Sequence, residues 1–267
     1  MNPEVQDGRG EKAESIKRGI YILPNLFTTG SLFAGFYSMV ASLNGNFSTA
    51  ALWIFASAVF DGLDGKVARM TGTTSKFGVE YDSLADLVAF GVTPALMVYA
   101  WALRPFGRVG WLAAFLFVAC GALRLARFNV QVNTVESKRF VGLPIPAAAS
   151  MVAATVLLFY HFEWPSSFKR LAIITLIYLL AFLMVSSFRY YSFKDPELIK
   201  RQPFGFLVLA IVLLIVVATA PVVMVFSIML VYVLSGPTAF VLTWPRRRRL
   251  EKAVHKGRET AHREGDS

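Results

Sequence analysis

Four carboxylates lie close together in an otherwise apolar part of the chain, at Asp61, Asp64, Asp82 and Asp86. A lone carboxylate costs about 2.5–3.5 kcal/mol at the centre of a membrane-spanning helix, so four of them need compensation. Divalent cations provide it, because hard oxygen ligands suit Mg²⁺, Mn²⁺ or Ca²⁺. The whole chain has three histidines and one cysteine, and they form no cluster that would suit a softer metal. The acids therefore predict a divalent-cation site.

The spacing of the acids places them on two helix faces. In a helix, Asp61 and Asp64 share one face with Arg69, and Asp82 and Asp86, four positions apart, share a face of the next helix. A hairpin of these two helices brings all four carboxylates into one polar pocket. Such a set can hold a pair of cations, which in turn can clamp a pyrophosphate.

Small residues interrupt this acidic face. Gly62 and Gly65 each cost about 1 kcal/mol relative to alanine inside a helix. A missing side chain allows a flat group to approach the backbone, although small residues also serve helix packing in membranes. Because these glycines lie between acids and an arginine, we interpret them as part of a ligand pocket.

The composition of the chain indicates the class of fold that positions these residues. Hydrophobic residues make up 55% of the 267, charged residues 16%, and the mean hydropathy is +0.54. We predict an all-α, polytopic transmembrane helix bundle of about eight spans. The apolar runs of spanning length lie at 21–43, 47–68, 83–103, 109–128, 143–161, 169–187, 204–222 and 224–243.

Charged segments flank this bundle. Residues 1–20 are predicted to form a cytoplasmic tail with a short juxtamembrane helix at 10–20. A transmembrane catalytic domain is predicted at 21–243 and a basic cytoplasmic tail at 244–267. The first twenty residues are charged and polar, so we expect no cleavable signal peptide.

The distribution of basic residues predicts orientation. The net charge of +10 is concentrated in the tails and in alternate loops, which fits anionic lipid headgroups better than nucleic acid. Loops rich in lysine and arginine stay on the cytoplasmic side. Both termini and the four acids are therefore expected on the cytoplasmic side of the inner membrane.

The motif as a whole reads D-x2-D-G-x2-A-R-x8-G-x3-D-x3-D over residues 61–86. It resembles the signature of the CDP-alcohol phosphotransferase family, with every fixed position present. The resemblance implies a transmembrane enzyme that moves a phosphatidyl or related group from a CDP-linked lipid to an alcohol, releasing CMP. It also implies two Mg²⁺ or Mn²⁺ ions per active site and a homodimer.

The same resemblance assigns roles to individual residues. Asp61, Asp64 and Asp82 correspond to the ligands of one metal ion, and Asp61, Asp82 and Asp86 to those of the second. Asp86 also corresponds to the general base. The positions expected to contact the CDP-lipid are Asn25, Thr28, Gly62, Gly65, Arg69 and Ser75.

Two further stretches concern the acceptor alcohol. Residues 124–129 and 140–146 resemble the branch of the family whose acceptor is L-serine, implying that CDP-diacylglycerol and L-serine give phosphatidylserine and CMP. Serine needs a cation for its carboxylate, and the residues near the fourth span could instead snorkel at the interface or set topology. The acceptor-binding candidates are Arg124, Arg127, Asn129 and Lys138.

Two alternatives remain at the level of the sequence. One is a sibling transferase that uses glycerol 3-phosphate, inositol or inositol phosphate, since the basic residues at 124–139 also suit a phosphorylated acceptor. The other is a cation-coupled carrier, against which stand the clustering of the acids in one hairpin and the lack of an apparent inverted repeat. A covalent histidine relay is disfavoured because His161, at the outer end of the fifth span, is the one histidine outside the C-terminal tail.

Overall fold

The computed structural model describes residues 7–72, 75–132, 140–162, 164–190 and 219–240. Helices make up nearly all of these residues, which confirms the all-α prediction. Two strands of two residues each, β1 (Phe140–Val141) and β2 (Arg189–Tyr190), pair antiparallel. The helices are α1 (Asp7–Leu43), α2 (Phe47–Thr71), α3 (Lys76–Phe106), α4 (Arg108–Val132), α5 (Ile145–Phe162), α6 (Ser166–Val185) and α7 (Pro221–Phe240).

Six helices in the described part of the chain are long and apolar enough to cross a membrane. The remaining helix, α2, is 25 residues long, and its second half carries the charged part of the motif. A polytopic helical bundle is confirmed. The span predicted at 204–222 lies largely outside the described residues, and the tail at 244–267 lies wholly outside them.

The N-terminal helix differs from the prediction of a separate juxtamembrane helix at 10–20. α1 runs without a break for 37 residues, with Pro24 inside it. A helix of this length measures about 55 Å, and the hydrocarbon core of a bilayer is about 30 Å thick. The first part of α1 therefore extends the first span beyond the membrane core.

Small hydroxyl residues join α1 to α2. The hydroxyls of Ser31 and Ser57 lie 2.8 Å apart, and Ser57 Oγ also donates to the Ser31 carbonyl at 2.9 Å. Ser38 Oγ donates to the Ala50 carbonyl at 2.7 Å. Such contacts favour close helix approach within a membrane. They fix the register of α2 along α1, and hence the position of the first two motif acids.

α3 crosses α1 at Gly35. A Cβ added there would lie 2.8 Å from the Cα of Ala89, so the two backbones are in near contact. Thr93 Oγ1 donates to the Gly35 carbonyl at 3.2 Å. Immediately after Asp86, α3 widens into a π-helical turn at Leu87–Val92. Such turns often occur at functional sites.

We expect Gly35→Ala to destabilise the bundle by about 1–3 kcal/mol, since the added methyl overlaps backbone atoms that cannot move aside cheaply. Gly62→Ala is the matched control, because nothing lies within 4 Å of a Cβ at that position. Thermal unfolding in detergent measures both. Equal melting temperatures for Gly35→Ala and the wild type would show that the helices separate easily at this crossing.

The core lies around α5. Most residues of α5 are buried, and Phe90, Phe117 and Ile177 bring α3, α4 and α6 into the same cluster. Gly142, just after β1, donates its N–H to the Phe188 carbonyl at 2.8 Å. The chain before α5 is thereby tied to the chain after α6.

Candidate active site

The end of α2 and the start of α3 both carry helix-capping residues. Gly72 ends α2 with φ +63°, a left-handed conformation that favours glycine, and its N–H donates to the Ala68 carbonyl. Ser75 begins α3, and its Oγ accepts a hydrogen bond from the Gly78 N–H at 2.9 Å. Between these two helix ends the chain reverses, so that Asp82 on α3 lies opposite Asp61 and Asp64 on α2.

Three of the four acids converge closely. Asp61, Asp64 and Asp82 each place a carboxylate oxygen within 4.8 Å of the others. Asp64 is buried, and the other two are half-buried. The charges of Asp61, Asp82 and Asp64 act on the nearby carboxylate of Asp86. The two helices thus bring three of the four carboxylates together, with Asp86 near enough to interact with them electrostatically.

The cluster fits a hard divalent cation. All of its donors are carboxylate oxygens, which Mg²⁺, Mn²⁺ and Ca²⁺ prefer. Two ligands on opposite sides of such an ion lie about 4–5 Å apart, given metal–oxygen distances of about 2.0–2.6 Å. The separation among Asp61, Asp64 and Asp82 is in this range. The three residues can therefore share one ion.

Thr28 supports the cluster from α1. Its hydroxyl lies 2.9 Å from Asp64 Oδ2 and 3.2 Å from the Pro24 carbonyl. From the sequence we expected Thr28 to contact the CDP-lipid, and it does line the adjacent pocket. The structure adds a second role, since its hydroxyl can orient the Asp64 carboxylate.

Thr28→Val is expected to raise the metal concentration needed for half-maximal activity by about tenfold, because loss of a partner that orients a ligand usually costs that much. The change removes the hydroxyl with little change in volume. Thr29→Val is the matched control, since Thr29 bonds to the Asn25 carbonyl and to Tyr81 instead of an acid. A metal titration of activity measures the effect, and identical titrations for the two variants would contradict the role given to Thr28.

A pocket of about 610 Å³, including its open mouth, lies beside the acids. Five of the six predicted CDP-lipid contacts line it; the exception is Gly62, which is exposed. The lining residues are Pro24, Asn25, Thr28, Asp64, Gly65, Ala68, Arg69, Ser75, Gly78, Val79 and Asp82.

The predicted acceptor-binding residues differ in their burial and in their distance from the acids. Arg124 on α4 is only 8% exposed, and the charges of Asp86 and Asp61 act on its guanidinium. Arg127 is exposed. Lys138 lies outside the described residues. Arg124 is therefore the candidate that the structure brings to the acids.

Asn129, the fourth candidate, bonds to a different helix. Its Nδ2 donates to Ser83 Oγ at 2.9 Å, and Ser83 Oγ donates to the Val79 carbonyl at 3.0 Å. Ser83 lies between Asp82 and Asp86 on α3. Asn129 thus ties α4 to the acidic face. Sequence reasoning missed this contact because it joins residues 46 positions apart.

Residues 21–178 match the sequence profile of a family described as CDP-alcohol phosphatidyltransferase. That segment contains the whole acidic motif and more than half of the chain. The chain belongs to the CDP-alcohol phosphatidyltransferase family. The resemblance drawn from the motif is confirmed, and with it the assignment of the protein as an enzyme of this family.

Relatives in this family come from bacteria and archaea. A CDP-diacylglycerol–serine O-phosphatidyltransferase of Helicobacter pylori is 46% identical over 178 residues, covering 67% of this chain and 75% of the relative. An archaetidylserine synthase of Methanothermobacter thermautotrophicus is 37% identical over 170 residues, covering 63% and 69%. A CDP-diacylglycerol–serine O-phosphatidyltransferase of Mycobacterium tuberculosis is 41% identical over 149 residues, covering 53% of this chain and 52% of the relative.

Proposed function

We propose that this CDP-alcohol phosphatidyltransferase transfers the phosphatidyl group of CDP-diacylglycerol to the hydroxyl of L-serine, giving phosphatidylserine and CMP. The names of its bacterial and archaeal relatives support L-serine as the acceptor. The Helicobacter and Methanothermobacter relatives are both named for serine, although the lipid in the name differs. The structural observation that carries the proposal is the buried Arg124 guanidinium, which interacts electrostatically with Asp86 and Asp61. An arginine suits a carboxylate, which it can bind through two parallel hydrogen bonds.

The metal ions belong to the same proposal. We assign Asp61, Asp64 and Asp82 to one Mg²⁺ or Mn²⁺, and Asp61, Asp82 and Asp86 to a second. Their close carboxylate oxygens support the first assignment, and the electrostatic interaction of Asp86 with Asp61 and Asp82 supports the second. When bound, such ions polarise the phosphoryl oxygens and neutralise the charge of the departing CMP.

The donor lies in the pocket beside the acids. Arg69 lines this pocket and brings a positive charge to the pyrophosphate. Gly65 leaves room there, with the Arg69 guanidinium 3.5 Å from where a Cβ would stand. Asn25 and Ser75 offer polar groups to the nucleotide. The acyl chains can remain in the bilayer, so no extraction of the lipid is needed.

Asp86 is the proposed base. It accepts the proton of the serine hydroxyl as that oxygen attacks the phosphorus that bears the diacylglycerol. The bond from this phosphorus to the bridging oxygen breaks, and CMP leaves with that oxygen. Because the attack is direct, no residue of the protein forms a covalent intermediate.

Mass spectrometry of the lipid product tests the acceptor. Purified protein is given CDP-diacylglycerol, Mg²⁺ or Mn²⁺ and an equal mixture of L-serine, glycerol 3-phosphate, inositol and inositol phosphate. We expect phosphatidylserine as the main product. Phosphatidylglycerol phosphate or an inositol lipid as the main product would replace serine with a sibling acceptor and leave the family unchanged. The carrier alternative is disfavoured by family membership.

We also propose a homodimer in the inner membrane, with the active site and both termini on the cytoplasmic side. The distribution of lysine and arginine supports this orientation. The apolar, lipid-facing surfaces of the spans are compatible with a dimer contact.

A further inference from the structure

The π-helical turn of α3, at Leu87–Val92, begins immediately after Asp86. Its hydrogen bonds join residues five apart, whereas those of an α-helix join residues four apart. Thr93 shows this spacing, because its N–H donates to the Val88 carbonyl. Each residue of an α-helix turns the chain by about 100°. The extra residue in the turn therefore changes the direction in which Asp86 points relative to the packed residues that follow.

The side chain of Thr93 stabilises this turn. It is fully buried, and its Oγ1 donates to the Val88 carbonyl at 2.9 Å, so this carbonyl accepts from both the N–H and the hydroxyl of Thr93. The same Oγ1 lies 3.2 Å from the Gly35 carbonyl on α1. One donor can be shared between two carbonyl oxygens in this way. The hydroxyl therefore joins the widened part of α3 to α1.

The backbone of the turn also lies directly against α1. A Cβ added at Gly35 would lie 2.8 Å from the Cα of Ala89 and 3.4 Å from Thr93 Oγ1. Ala89 is fully buried within the turn. Because a close-packed interior leaves neither backbone room to move toward the other, α1 fixes the position of the turn.

Helix α4 fixes α3 on the other side of Asp86. Asn129 Nδ2 donates to Ser83 Oγ at 2.9 Å, and Ser83 lies three positions before Asp86. Asp86 thus lies between two contacts with neighbouring helices, one at Ser83 and one at Thr93. The stretch of α3 that carries this acid can rotate only if one of these contacts breaks.

We propose that Thr93 is a positioning residue, which sets the Asp86 carboxylate for proton transfer through the π-helical turn that it stabilises. The inference rests on the proposed function, in which Asp86 accepts the proton of the serine hydroxyl. A general base must come within about 2.6–3.2 Å of the oxygen whose proton it takes. A displacement of about 1 Å can slow a reaction about a hundredfold. Thr93 does not line the CDP-lipid pocket, so its effect reaches the reaction through Asp86.

The test is Thr93→Val in the full-length enzyme, which removes the hydroxyl with little change in volume. We expect kcat to fall by between about tenfold and a hundredfold. The KM for CDP-diacylglycerol should be nearly unchanged, because neither Thr93 nor Asp86 lines the CDP-lipid pocket. Thr93→Ser keeps the hydroxyl and should retain nearly the kcat of the wild type. Hydrogen exchange of the metal-free protein should be faster at the amides of Leu87–Val92 in Thr93→Val than in the wild type.

Thr155→Val is the matched control. Thr155 is also buried, and its Oγ1 donates to the Met151 carbonyl at 2.7 Å within α5. The substitution removes the same kind of group from a hydrogen bond inside one helix, whereas the Thr93 hydroxyl also reaches α1. We expect Thr155→Val to lower the melting temperature about as much as Thr93→Val does and to leave kcat unchanged. A lower melting temperature in Thr93→Val with the kcat of the wild type would overturn the inference, as would an equal loss of kcat in Thr93→Ser.

Ser83→Ala is a second variant, which decides the matter if Thr93→Val does not fold. It removes the contact on the other side of Asp86 and keeps Asn129, which is itself a predicted acceptor contact. We expect a lower kcat with the KM for CDP-diacylglycerol unchanged, and the kcat of the wild type would then overturn the inference. If Asp86→Asn keeps near-normal turnover, the proposed base is wrong and the inference fails with it. If Asp86→Asn is inactive and Thr93→Val keeps the kcat of the wild type, the inference alone fails.

Discussion

Replacing Asp86 with asparagine is expected to reduce transfer by at least about a thousandfold, because general base catalysis contributes about 10²–10⁴ and this residue is also a proposed metal ligand. The amide preserves the shape of the side chain and cannot take the proton of the acceptor hydroxyl. Asp86 lies on α3 immediately before a π-helical turn and interacts electrostatically with the Arg124 guanidinium. It does not line the pocket that we assign to the CDP-lipid, so CDP-lipid binding should be largely kept.

Measurement of turnover together with CDP-lipid binding checks this result. Glu80→Gln is the matched control, as Glu80 is an exposed acid on the same helix. It should retain turnover and binding. Near-normal turnover in Asp86→Asn would show that the proton goes elsewhere.

Asp61→Asn is expected to reduce transfer as strongly as Asp86→Asn does, and in addition to weaken binding of the CDP-lipid. Asp61 is close to Asp64 and Asp82, and its charge also acts on Asp86, so it is proposed as a ligand of both metal ions. Its loss should impair turnover and also CDP-lipid binding, because the pyrophosphate depends on the bound ions. Added metal should restore part of the activity, since the other carboxylates remain.

Calorimetric titration with Mn²⁺ and binding of the CDP-lipid distinguish the two aspartate variants. We expect Asp61→Asn to weaken Mn²⁺ binding more than Asp86→Asn does. Metal affinity equal to that of the Glu80→Gln control would rule out Asp61 as a shared ligand.

The geometry of the acidic cluster could be predicted because it depends on local periodicity. Asp61 and Asp64 share a face through helix spacing alone, and Asp82 and Asp86 do the same on the next helix. The turn between the helices has recognisable signals in Gly72 and in the capping Ser75. These local rules were sufficient to bring the four acids together.

Contacts between distant helices could not be predicted in this way. The bond from Thr28 to Asp64 joins residues 36 apart, and that from Asn129 to Ser83 joins residues 46 apart. A threonine or an asparagine in the sequence does not indicate which distant residue it will hydrogen-bond to. Asn129 stays a predicted acceptor contact, and the structure adds that its amide bonds to Ser83 on α3. The π-helical turn after Asp86 also has no sequence signal, since it depends on how α3 packs against its neighbours.

The docking of α7 was missed for a related reason. Its sequence reads as an ordinary apolar span. The docking contact depends on Tyr190, which lies in a two-residue strand that no periodic pattern indicates and whose hydroxyl donates to the Val233 carbonyl. Only the tertiary structure brings these two residues together.

Release of CMP from CDP-diacylglycerol by the purified protein tests the central claim most directly. Each acceptor is offered separately, with Mn²⁺ or Mg²⁺ and then with a chelator. We predict release that depends on L-serine, stops with the chelator and returns when metal is restored. Release that requires another alcohol would contradict the serine assignment, and release that persists in the chelator would contradict the metal assignment of the four aspartates.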